Sequence, residues 1–156
     1  MPSFQLVGLP AEPFQALFDL PDDRLAAFGA KRVTASESPG YPCRISLLDA
    51  EVGDELLLLP YAHHRVASPY QASGPIYVRK GATQRILPAG EVPDYVRRRL
   101  ISVRAYDAAH MMVSAEVCEG VDAGSCIEGL LLDRRVGYVH LHNARRGCFS
   151  CLATRV

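Results

Sequence analysis

The chain has no apolar run that could cross a bilayer: its longest candidate, Leu56 to Leu59, covers four residues, against the roughly 20 that a spanning helix needs. It has no surplus of either charge, with 17 basic and 17 acidic side chains and a pI near 6.9. A general nucleic-acid binder carries a basic excess that neutralises phosphates, so neither nucleic acid nor membrane is an expected partner. The opening MPSFQLVGLPAEPF shows no basic stretch followed by an apolar one, so no secretory signal is expected. No Walker loop, dinucleotide fingerprint, nucleophile elbow or HExxH is present. Lysine is scarce, with Lys31 and Lys80 the only two among the 17 basic residues, leaving 15 arginines. Genome base composition alone can produce that bias. If selection is involved, arginine is the residue whose planar fork grips carboxylate or phosphate.

What is present reads as an ordinary globular chain, 49% apolar and 22% charged over 156 residues. That length suits a single domain over 1–156, and no internal repeat, low-complexity tract or linker interrupts it. The five cysteines, Cys43, Cys118, Cys126, Cys148 and Cys151, are an odd number. Without a signal segment they imply reduced thiols in a cytoplasm, most of them packed as small hydrophobes.

The pattern along the chain predicts two short helices over Pro10 to Phe28, with Gly29 ending the second, then mostly strands. A hairpin is expected between Arg44–Leu48 and Glu55–Tyr61, with Leu56 to Leu59 apolar on both faces and so central. Pro75 to Arg79 reads as a short strand, and Glu91 to Arg99 as a helical turn. The clearest hairpin pairs Leu100–Tyr106 with Met111–Cys118, because Ile101, Val103 and Ala105 alternate with Ser102, Arg104 and Tyr106. A helix between Asp122 and Leu132 and strands over Val136–His142 and Phe149–Arg155 complete the series. The expected class is α+β: a mostly antiparallel curled sheet or partly closed β-barrel with two to four short helices.

Four motifs occur in order: Tyr41-Pro42-Cys43-Arg44, Ser68-Pro69-Tyr70-Gln71-Ala72-Ser73-Gly74-Pro75-Ile76, Arg104-Ala105-Tyr106-Asp107, and His140-Leu141-His142-Asn143-Ala144-Arg145-Arg146-Gly147-Cys148. With them the chain resembles, nearly end to end, the bacterial domain-of-unknown-function family 1203. The resemblance implies a bacterial protein and supplies no catalytic residues, so the site is argued from chemistry.

On a strand, Tyr138, His140 and His142 share one face while Val139 and Leu141 share the other. Two neutral imidazoles at that spacing can chelate a divalent metal such as zinc, with Cys148 and Cys151 as further ligands. On a strand, however, positions 148 and 151 point to opposite faces, so no metal or cofactor is expected. Cys43 and Cys148 lie beside arginines in sequence, which makes either a candidate catalytic thiol, with His140 or His142 as base and Asn143 as orienter. Arg44, Arg79 and Arg104 lie in or beside strands, where each is either paired with a carboxylate such as Asp107 or Glu116 or faces a ligand. The loop carrying Tyr70 can close over such a site.

The leading reading is therefore a small anionic molecule bound in a cleft lined by Arg44, Tyr70, Arg79, Arg104 and Asn143. Catalytic candidates there are Cys43, His140, His142 and Cys148. The rivals are a metal protein using His140 and His142, and a noncatalytic interaction module in which the same residues brace a turn. Homo-oligomerisation is left open.

Overall fold

The computed structural model describes residues 2–156. Strand β1 (Phe4–Val7) leads into helix α1 (Glu12–Gln15), a 3-10 turn at Ala16–Asp19 and helix α2 (Asp22–Ala27). Pro13 opens α1, and Asp22 and Asp23 sit in the first turn of α2, where acidic groups complement the helix dipole. Gly29, at φ +73°, ends α2 as expected, and the Ala30 N–H closes back on the Leu25 carbonyl.

Strands β2 (Lys31–Thr34), β3 (Pro42–Cys43), β4 (Leu48–Asp49), β5 (Glu55–His64) and β6 (Ala72–Arg79) follow. After them come α3 (Asp94–Arg97), β7 (Leu100–Tyr106), β8 (Met112–Glu119), a 3-10 turn at Gly120–Asp122, α4 (Ala123–Leu131), β9 (Tyr138–Asn143) and β10 (Phe149–Arg155). The α+β, mostly antiparallel architecture is realised as two five-stranded sheets with no closed barrel. Sheet I has the order β1-β10-β9-β7-β8 and sheet II the order β2-β5-β6-β3-β4. Among these pairings only β3 with β6 is parallel.

Each sheet has its own helical cover. Ala123, Ile127, Leu130 and Leu131 recur at helical spacing, so α4 lays one apolar stripe against Ile101, Val103, Ala105, Val139 and Leu141 of sheet I. Phe14, Phe18 and Leu25 of the N-terminal helices cover Leu57, Leu59, Ile76 and Val78 of sheet II. Each fully buried Leu or Phe contributes roughly 1.5–3 kcal/mol by leaving water. Strand β5 is central, with Leu57 on the helix side and Leu56 in a third cluster on the opposite face.

The expected hairpin between Arg44–Leu48 and Glu55–Tyr61 does not form. Residues 44–47 are a turn between β3 and β4, in which Leu47 takes φ +54° and its N–H bonds the Cys43 carbonyl. The run reads as a strand because its side chains are buried, yet they are buried in different places. Ile45 joins the core of sheet II, and Leu47 that of sheet I. The partner that β5 takes instead is β2, in the register Lys31↔Leu58 to Thr34↔Glu55.

Candidate functional site

Strands β7 and β9 pair so that Ser102 faces His142, Arg104 faces His140 and Tyr106 faces Tyr138. Their aliphatic neighbours are turned toward α4, so period-2 geometry sends all six polar side chains to the opposite face. Phe149 of β10 sits opposite His142 on this face. The end of β5 reaches the same rings because its pairing register shifts between Tyr61 and His64. Adjacent residues of a regular strand diverge; this irregularity lets both His63 and His64 reach the cluster.

All five histidines of the chain meet here. Ring centroids lie 6.1 Å apart for His110 and His64, 5.0 Å for His64 and His140, 6.2 Å for His140 and His63, and 5.0 Å for His63 and His142. His63 stacks on Phe149 at 5.4 Å, and Tyr106 stacks on Tyr138 at 5.3 Å. His140 and His142, expected on a cleft wall, are only 5% and 1% exposed beneath these rings.

Burial and the neighbouring charges keep these imidazoles neutral. Desolvation, then repulsion between a protonated His140 and the neighbouring His64, His142, His63 and Arg104, lowers His140 to about 3. Desolvation also lowers His142 to about 4, against a smaller upward pull from its bond to Gly147. His63 is lowered for the same first reason, with His64 and Arg104 adding to it. The Gly147 carbonyl can only accept, so His142 carries its proton on Nδ1, 3.0 Å away, and leaves Nε2 as a lone pair. That Nε2, Nδ1 of His140 and Nδ1 of His63 are all buried with no hydrogen-bond partner.

A hydrogen-bond chain flanks them. His64 Nδ1 donates to the Tyr70 carbonyl at 2.8 Å, and its Nε2 lies in hydrogen-bond contact with the Tyr138 hydroxyl, 2.6 Å away. The same hydroxyl is hydrogen-bonded to Nδ1 of His110 at 2.8 Å. Burial, with Tyr106 and Asp107 nearby, pushes the Tyr138 hydroxyl up to about 12, so it remains a donor. Tyr70 itself lies in the loop 65–71, whose Ser68 hydroxyl donates to the His110 carbonyl at 2.9 Å.

Arg104 is the cation whose charge bears on His63, His140 and His142 alike. Its Nε donates to Ser102 Oγ at 3.2 Å, and no ion pair among the described residues includes it. The carboxylates nominated for it are engaged elsewhere. Asp107 accepts from the Ala109 and Met111 N–H groups in its own turn, and Glu116 accepts from Cys126.

The other nominated residues are distributed differently. Arg44 is 1% exposed and donates to the Phe149 carbonyl at 2.8 Å, the Pro42 carbonyl at 2.7 Å and Cys148 Sγ at 3.1 Å. It ties the two sheets together and has no carboxylate partner. Asn143 Nδ2 reaches Cys148 Sγ at 3.9 Å, and its Oδ1 is buried without a partner. Cys43 is fully buried, accepts the Arg79 backbone N–H at 3.3 Å and presents no open thiol. Arg79 is away from the histidines, on a cavity of about 210 Å³ between α1 and the end of β6, floored by Phe14, Phe18 and Ile45. Cys151 is buried in the core against α4. No group of three or more His, Cys, Asp or Glu among the described residues is arranged to hold a metal ion.

The residues that sequence reasoning missed are His63, His64 and His110. Their type was a usable signal, since histidine is rare in the chain and all of it converges. Their placement depends on an irregular strand and a turn that spacing alone does not reveal. A family model described as "Protein of unknown function (DUF1203)" matches residues 40–155. No curated protein and no solved structure matches.

Proposed function

Because the chain belongs to the DUF1203 family, whose description assigns no activity, we propose from its residues alone that it binds a small anion at Arg104 and the imidazoles of His63 and His140. One observation carries this reading: a guanidinium with no carboxylate partner stands among three buried imidazole nitrogens that lack hydrogen-bond partners. Buried polar groups without partners are rare and costly, and a carboxylate or phosphate oxygen would accept from Arg104 and from Nδ1 of His63 and His140 at once. Arg104 supplies the charge. Neutral His63 and His140 supply N–H groups when their tautomers place the proton on Nδ1, at little desolvation cost compared with burying more cations, while His142 keeps its Nδ1 proton on Gly147 and packs beside them. The loop 65–71, pinned through Tyr70 and Ser68, covers the approach. Five free thiols fit a reducing compartment such as the bacterial cytoplasm, and no helix among the described residues is long and apolar enough to cross a membrane.

The bracing role is a second reading with its own support, since His142 and Asn143 together close the β9–β10 turn through Gly147 and Cys148. Isothermal calorimetry and thermal shift with inorganic phosphate and with acetate, against chloride at equal ionic strength, separate the two. The anion reading expects a melting temperature that rises with one of the two probes. It also expects Arg104→Gln to weaken binding by about tenfold or more. Absence of binding by either probe, or equal binding by the variant, overturns it in favour of the bracing role.

A further inference from the structure

Away from the histidines, two thiols sit side by side. Cys118 on β8 pairs with Ile101 of β7, whose side chain points into the core beneath α4. Period-2 geometry therefore turns Cys118 toward the helix. Cys126 lies one residue before the buried Ile127, at the flank of the α4 stripe, and both thiols pack on the edge of that core while remaining partly exposed. Each lies close enough to the other to bear on its ionisation. Cys126 Sγ also donates to Glu116 Oε2 at 3.2 Å. Glu116, two residues before Cys118, is opposite Val103 and so shares the face of β8 turned to the helix.

We propose that Cys118 and Cys126 form a redox-active dithiol that closes to a disulfide and staples the outer strand of sheet I to α4. The oxidant is a small-molecule disulfide. Cys126 loses its proton to solvent, and the resulting thiolate attacks one sulfur of the oxidant, forming a mixed disulfide and expelling one thiolate. Cys118 then loses its proton to solvent and attacks Cys126 Sγ, expelling the second thiolate. Two protein thiols are oxidised, one disulfide is reduced to two thiols, and both leaving groups are protonated by solvent.

The surroundings set the kinetics. Burial holds both thiols above the ordinary range, and Glu116, Glu119 and Asp122 oppose ionisation of Cys118. Formation is therefore slow at neutral pH and speeds up as pH rises. The same high-pKa thiols are poor leaving groups, so the closed bond resists reduction. The chain between the two cysteines is short, and the 3-10 turn Gly120–Asp122 holds it folded back, which keeps the partners near each other.

The test is oxidation of the native protein with excess oxidised glutathione at about pH 8.5, followed by acid trapping and non-reducing peptide mapping. The expected product is a Cys118–Cys126 cross-linked peptide, with two hydrogens lost from the intact mass and a raised melting temperature. Cys118→Ser and Cys126→Ser should each leave a persistent glutathione adduct on the remaining cysteine. Glu116→Gln should speed the first step several-fold without changing the final cross-link, because the carboxylate opposes the Cys126 thiolate, and an unchanged rate removes Glu116 from the step. Accumulation of a wild-type adduct at either cysteine without the cross-link overturns the proposal. So does a cross-link that forms only after denaturation.

Discussion

At the scale of single residues, burial of uncharged imidazoles makes the protein sensitive to acid. In an unfolded chain histidine protonates near pH 6.5, whereas in the fold His140 and His142 hold out to about 3 and about 4 because they are desolvated. Between these limits the unfolded chain binds protons that the folded one refuses. Stability is therefore complete above the ordinary histidine range and falls as pH drops through it. The slope is at most about 1.4 kcal/mol per pH unit for each histidine. Urea midpoints measured between about pH 7.5 and about pH 5 should fall accordingly; a flat profile would remove the burial argument. The shared face of Tyr138, His140 and His142 is legible in the sequence because a regular strand repeats every two residues. The contribution of His63 and His64 is not, because a register shift redirects two neighbours at once. The isolation of Arg104 is equally hidden, since nothing in the spacing says that Asp107 is committed to its own turn.

At the scale of elements, the β7–β8 hairpin and α4 follow from alternation and from helical spacing, and the structure has both. Strand β2 was not foreseeable: Lys31-Arg32-Val33-Thr34 has no alternating face, and it is a strand because β5 offers it an edge. The turn 44–47 misleads in the opposite direction, since its apolar residues fill two separate cores. The junction of β8 and α4 shows how tightly elements can be fitted. Gly120 donates to the Arg99 carbonyl at 2.7 Å, and a methyl group there would collide with the Val96 carbonyl. Backbone on both sides leaves no flexible atom to give way. Gly120→Ala should therefore destabilise the fold by about 1–3 kcal/mol or more, read as a lower denaturation midpoint. An unchanged midpoint would show that α3 can slide away from β8.

At the scale of the whole molecule, two arginine ties join the sheets beside the His64–Tyr138 bond, and neither is visible as a motif. Asp49 of β4 takes both Nη atoms of Arg99, and Arg98 adds a third bond at 3.1 Å, so part of the Arg97-Arg98-Arg99 run faces inward to a carboxylate. Arg44 makes the second tie, through the Phe149 carbonyl and Cys148 on one side and the Pro42 carbonyl on the other. Removing it strands buried acceptors at about 1–3 kcal/mol each. Arg44→Met should thus lower stability by several kcal/mol in equilibrium unfolding, and a loss below about 1 kcal/mol would mean that water replaces the guanidinium. The strand order carries one more consequence, for the path by which the chain reaches this state. Sheet II is cut from a single stretch, residues 31–79, whereas sheet I needs Phe4–Val7 beside Leu152–Arg155. Loop-closure entropy makes so distant a pairing slow. Pulse-labelled amides of β5 and β6 should therefore gain protection before those of β1, making the β1–β10 seam the last part of the molecule to zip shut and the first to fray.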